Sequence, residues 1–140
     1  MQHLMSEDYF NGADYFLDRN IRQGRGHKVA IYTDNRNYTY NDVQKMANKT
    51  ANALRDLGLG LEDRVMMLML DIPQFHGIFW GTIKMGAIPI PINTMLTPTD
   101  YEFYLNDSRA RLLVVSEELI QAVNDIEGDL PYLRDIIVIS

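Results

Sequence analysis

Between Asp63 and Asn93 the sequence carries a pattern that few folds can accommodate. Val65-Met-Met-Leu-Met-Leu70 is apolar without alternation. A strand covered on one face alternates polar and apolar side chains, whereas one covered on both faces does not, so 65–70 reads as a buried parallel strand. Pro73 then suits the first turn of a helix, where its missing N–H costs nothing. Phe75, Ile78, Phe79, Thr82, Ile83 and Gly86 share one face of that helix. Gly86 suits its end, and Ala87-Ile-Pro-Ile-Pro-Ile92 reads as a second strand. Strand, helix and strand in this order form a βαβ unit with a right-handed crossover.

Two details restrict the unit further. Gly77 and Gly81 lie four residues apart on one helix face. Each costs roughly 1 kcal/mol against Ala in a helix, so a close approach by another backbone is the expected compensation. Pro89 and Pro91 are two apart, so their missing donors lie on one side of the strand. That side cannot form a regular ladder, which places the strand at an edge, or at a bulge where the sheet ends.

The flanks follow the same alternation. Asn11 is a candidate cap for a helix over 13–23 that buries Tyr15, Phe16 and Ile21. Gly24-Arg-Gly26 breaks it and reads as a loop rather than a phosphate cradle, since no strand precedes it. Val29–Tyr32 and Tyr38-Thr39 flank the turn residues Asp34-Asn35-Arg36-Asn37, predicting a hairpin near 29–39. Thr39 with Asp42 resembles a capping box. The helix that follows carries an apolar stripe at Val43, Met46, Ala47, Thr50, Leu54 and Leu57 and ends at Gly58. Thr97-Pro-Thr-Asp100 repeats the start signal, with Leu96 and Tyr101 placed as a staple, for a helix to about Asn106. Leu112–Val115 is another unbroken apolar strand, Ser116-Glu117-Glu118 opens a helix toward Asn124, and Ile136–Ile139 is a fourth strand. The predicted class is α/β: a mixed, largely parallel sheet with flanking helices.

Composition serves mainly to exclude. The 140 residues are 46% hydrophobic and 23% charged, as in a globular domain with a sizeable core. A net charge of −6 without a basic run argues against nucleic-acid partners. There is no cysteine, so disulfides and thiolate metal sites are out, which fits a cytoplasmic location. No segment is long and apolar enough to span a membrane. Residues 1–8 are polar, lack a signal peptide's regions and read as loose.

Chemistry-bearing residues are sparse. His3, His27 and His76 have no metal-ligand spacing, and His76 reads as a core or boundary residue. Met66, Met67, Met69, Met85 and Met95 read as packing, and Trp80 as an interface anchor. Asp71, at the carboxyl end of a parallel strand, stands where α/β ligands bind, but reads better as a cap for the next helix. Glu62/Asp63 and Glu117/Glu118 are solvated pairs. There is no Walker phosphate loop, GxSxG or HExxH.

Longer motifs add what spacing does not. Tyr38-Thr-Tyr-Asn-Asp-Val43, with Ala47-Asn48 and Ala53-Leu54 after it, resembles the first core motif of the adenylate-forming enzymes, which include acyl- and aryl-coenzyme A ligases, nonribosomal adenylation domains and luciferases. Ile83-Lys-Met-Gly-Ala-Ile-Pro-Ile-Pro-Ile-Asn93 resembles their second, and Asp63-Arg-Val65 fits as well. Asn11–Asn20, Gly24-Arg-Gly26, Asn93–Pro98 and Asp107-Ser-Arg-Ala-Arg111 are similar to the benzoate–coenzyme A ligase branch. One departure is Thr94-Met95, where many relatives carry Pro-Arg; an arginine there could reach a coenzyme A phosphate, and Met95 cannot.

The resemblance implies that residues 1–140 are the N-terminal part of a large adenylate-forming domain, as the apolar run Ile136–Ile139 at the end of the chain also suggests. It implies ATP, Mg²⁺, coenzyme A and a small aromatic carboxylate as cofactors and substrates of the complete enzyme. The family's phosphate loop, acyl pocket, ribose-binding acid and lid lysine lie outside these residues. No catalytic, cofactor-binding or metal residue is therefore assigned, and the segment is expected to be an inactive scaffold. The alternatives are another acyl-coenzyme A ligase, such as a fatty or cinnamic acid ligase, or a non-catalytic interaction module using the edge at 136–139.

Overall fold

In a computed structural model, described for residues 9–126, 128 and 130–140, the chain forms an α/β layer structure. The expectations for residues 1–8 and His3 lie outside the described residues. A π-helical turn at Asp14–Asp18 runs into α1 (Arg19–Arg22). β1 (Val29–Ile31) and β2 (Tyr38–Thr39) form the expected antiparallel hairpin, as a separate two-stranded sheet. Then come α2 (Tyr40–Asp56), β3 (Arg64–Leu68), α3 (Pro73–Lys84), β4 (Ile88–Pro91), α4 (Pro98–Ser108) and β5 (Leu112–Ser116). A 3₁₀ turn (Glu117–Leu119), α5 (Ile120–Asn124) and β6 (Asp135–Ile139) complete the order.

The main sheet has the order β4-β3-β5-β6 and every pairing in it is parallel. Both central strands are buried on both faces, which is why their sequences do not alternate. Val65, Met67, Leu112 and Val114 point to one face, where they meet Leu54 of α2 and Ile78 of α3. Met66, Leu68, Leu113 and Val115 point to the other, against Tyr101 and Leu105 of α4 and Val123 of α5. Each such side chain, fully buried, contributes roughly 1.5–3 kcal/mol. A third cluster, Leu17, Val43 and Ala47, joins the N-terminal turn to α2.

β4 is an edge strand, as its prolines required. Its outer side is blocked by Pro89 and Pro91, while Ile88 N–H donates to Asp63 O at 2.9 Å and Ile92 N–H to Met67 O at 3.1 Å. α3 is buried on two sides. Its aliphatic face meets the sheet and its glycine face meets α2. A Cβ on Gly77 would fall 2.7 Å from Met46 Cβ. Trp80, half-buried, packs within the chain against the third cluster and beside Phe16 and Phe79.

Both capping boxes are formed. Asp42 N–H donates to Thr39 Oγ1 at 3.2 Å, and Thr39 N–H donates to Asp42 Oδ2 at 2.8 Å. At α4 the same exchange links Thr97 and Asp100, with Thr97 N–H to Asp100 Oδ2 at 2.9 Å. Tyr101 is 1% exposed, and its hydroxyl accepts from Leu96 N–H at 3.1 Å. Removing the cap oxygen with Thr97→Ala is expected to lower stability by about 1 kcal/mol in chemical denaturation. An unchanged midpoint would show that the oxygen does not hold the helix.

Several local expectations are corrected. The strand read as Val65–Leu70 ends at Leu68, because Leu70 N–H turns to Ser116 Oγ at 3.0 Å. Phe16 is 57% exposed; the π turn shifts the buried phase to Ala13 and Leu17. Leu57 is 43% exposed because it is already the C-cap of α2, and Ala51 takes its place in the stripe. Met95 is 88% exposed, its N–H turned onto Asn93 Oδ1 in the loop before α4. His76 is exposed, lying edge-on to Phe75. Asp71 does not cap α3: the N-cap is Ile72, one residue nearer, and no side chain bonds there. The helix read as opening at Ser116-Glu117-Glu118 begins as a 3₁₀ turn, with the Ser116 hydroxyl serving Leu70 instead of the turn's own amides.

Candidate functional site

In an open parallel sheet, ligands bind beyond the carboxyl ends of the strands where neighbouring strands send their connections to opposite faces. β3 and β5 are such neighbours. β3 leads into α3 on one face, and β5 leads into α5 on the other. A crevice of about 260 Å³ opens there, bounded by Leu70, Pro73 and Gln74 after β3, Ser116 and Glu118 at the end of β5, and Tyr38 of the hairpin.

Ser116 fixes the floor. It is 1% exposed, and its hydroxyl accepts from Leu70 N–H at 3.0 Å, closing the gap left where the β3–β5 ladder ends. Gln74 and Glu118 are exposed at the mouth and can present an amide and a carboxylate. Arg36 lies over the Tyr38 ring at 4.1 Å. Asp71 and His76 line a neighbouring cavity of about 200 Å³ with Ile31 and Pro73. The crevice can hold polar groups by hydrogen bonding. No Lys or Arg lines it, and among the described residues no group of three His, Cys, Asp or Glu could hold a metal. This crevice therefore offers no positive side chain to the phosphates of a nucleotide triphosphate.

The partly buried ion pairs lie elsewhere and are structural. Asp63 accepts from Arg111 Nη1 at 2.6 Å and from Gly60 N–H at 2.8 Å, at the amino ends of β3 and β5. Burial works against its ionisation, but the Arg111 guanidinium and the Gly60 amide outweigh it and hold the carboxyl below the usual range. Asp18 pairs with Lys84 at 2.7 Å and accepts from Gln44 Nε2 at 2.7 Å, tying the N-terminal turn to α3 and α2. Asn11, read as a cap, accepts from Ala13 N–H at 2.9 Å and also donates to Ile83 O at 2.9 Å. Neither ion pair was legible from spacing, since the partners are far apart in sequence. The role of Ser116 was missed as well, its only signal being a lone hydroxyl at the end of an apolar run.

Comparison with known proteins gives a consistent picture. The family model described as AMP-binding enzyme matches residues 17–140. Benzoate–CoA ligase of Thauera aromatica is 42% identical over 130 residues, covering 92% of this chain and 25% of that protein. The 4-hydroxybenzoate–CoA/benzoate–CoA ligase of Rhodopseudomonas palustris is 35% identical, covering 94% and 24%. Among solved structures, the anthranilate CoA ligase AuaEII in complex with anthranoyl-AMP superimposes with a TM-score of 0.92 and 39% identity, covering 99% of this chain and 27% of that one. A benzoate CoA ligase from Burkholderia xenovorans gives 0.83 and 34%, covering 94% and 26%. The chain therefore spans about a quarter of the length of the relatives it matches.

Proposed function

Because the chain belongs to the AMP-binding enzyme family, we propose that it is the N-terminal segment of an ATP-dependent aryl–coenzyme A ligase acting on benzoate or a simple analogue. The observation that carries this reading is the 42% identity with a benzoate–CoA ligase along nearly the whole chain. The reaction has two steps. A carboxylate oxygen attacks the α-phosphorus of ATP and pyrophosphate leaves; the coenzyme A thiol then attacks the acyl carbon and AMP leaves. Both steps need charge on phosphate to be stabilised, and Mg²⁺ supplies part of that when bound.

In this reading residues 1–140 are the scaffold. They build a rigid sheet edge and a floor at Ser116 from which catalytic loops elsewhere in the enzyme are positioned. The 140 residues alone are inactive, having no complete cradle for the phosphates. A cytoplasmic location is part of the proposal; the absence of cysteine supports it, and no helix among the described residues is long and apolar enough to cross a membrane.

Carboxylate-dependent exchange of labelled pyrophosphate into ATP tests adenylation directly. The complete protein is expected to exchange with benzoate and the 140-residue chain is not. Exchange by the short chain would overturn the scaffold role. A complete protein silent with benzoate and its simple analogues would overturn the aryl assignment.

A further inference from the structure

On the face that carries α2 and α3 the central strands β3 and β5 are fully covered, and β6 is not. Ile137 and Ile139 point to that side and are only partly buried, whereas Ile136 packs into the cluster on the opposite face. Between them and α2 lies a groove of about 260 Å³, walled by Ala53, Leu54, Val114, Ile137 and Ile139 and almost wholly apolar, with Lys49 and Thr50 at its side. We propose that this groove is the docking surface for an apolar helix of the complete ligase that lies outside residues 1–140. The proposal rests on the ligase reading above.

The chemistry of the groove selects a helix over a strand. A docked strand needs donors and acceptors for its own backbone, and the groove offers almost none. A helix satisfies its own backbone and presents only side chains. It would also continue the layer that α2 and α3 begin, completing the cover that a parallel sheet requires. A second copy of this chain is a poor occupant. The large apolar side chains left exposed within its described helices are the aromatic Phe16, Phe103 and Tyr104, so no helix has an aliphatic ridge to spare. The relatives supply the alternative: the match covers 25% of the Thauera aromatica ligase, so most of such a protein lies outside it.

Thiol protection tests this. The 140 residues contain no cysteine, so Ala53→Cys places one thiol of known position in this region, and Asn48→Cys places a control on the opposite, exposed side of α2. Each variant of the complete protein is alkylated with N-ethylmaleimide and the modified peptide followed by mass spectrometry. In the native protein the thiol at 53 is expected to react at least tenfold more slowly than the thiol at 48, with the difference lost on denaturation. In the 140-residue chain the two are expected to react alike. Equal native rates in the complete protein would overturn the proposal, as would a reading frame that stops after Ser140. Protection that grows with concentration in the 140-residue chain would assign the groove to a second copy instead. Pyrophosphate exchange by the same variants separates the two readings: exchange with an unprotected thiol at 53 overturns the docking alone, and protection without exchange overturns the ligase reading while the docking stands.

Discussion

Gly81→Leu is expected to abolish soluble, folded protein. A Cβ at position 81 would fall 2.6 Å from Ala47 O and 2.7 Å from Thr50 Cβ. Both belong to α2, and one of them is backbone, so a rotamer change cannot relieve the clash. Overfilling a packed core costs roughly 1–3 kcal/mol when neighbours can shift. Leucine adds far more bulk, against two helices that are themselves held on the sheet. Gly81→Ala is the milder form, expected to fold with a lowered thermal midpoint. Normal yield and an unchanged melting curve for Gly81→Leu would show that the α2–α3 contact is open.

Tyr101→Ala is expected to cost about 3–5 kcal/mol, the range for removing a large buried aromatic side chain. Tyr101 is 1% exposed and fills the cluster beneath α4 together with Met66, Leu68 and Val115. Its hydroxyl also accepts from Leu96 N–H at 3.1 Å, so the truncation leaves that amide without its partner. Tyr101→Phe separates the two effects. It keeps the ring and is expected to cost about 0.5–1.5 kcal/mol, the net worth of one hydrogen bond. Denaturant titration measures both. Equal losses for the two variants would mean that the hydroxyl, rather than the ring volume, carries the stabilisation.

Sequence and structure agree where the signal is local and repeated. The unbroken apolar runs at 65–68 and 112–115 could only be strands covered twice, and the sheet places both at its centre. Pro89 and Pro91 removed donors from one side of their strand, which put it at an edge whatever the rest of the fold did. Threonine followed at the third position by aspartate fixed both capping boxes. The candidate site was far less legible. Asp71 looked like a cap, but the cap position depends on where the first helical residue falls, and Ile72 occupies it.

Residues within one or two turns of each other were enough to set the class of the fold, the alternation of strand and helix, and the two helix starts marked by capping boxes. The motifs in the sequence were also sufficient to point to the family. Packing of the whole chain sets which helix the glycine face of α3 meets, why the Ser116 hydroxyl serves Leu70, and how Asp18 finds Lys84 and Asp63 finds Arg111. Those contacts join residues 30 or more positions apart. No periodicity or propensity encodes such pairs; they are set only when the sheet order brings the strands' ends together.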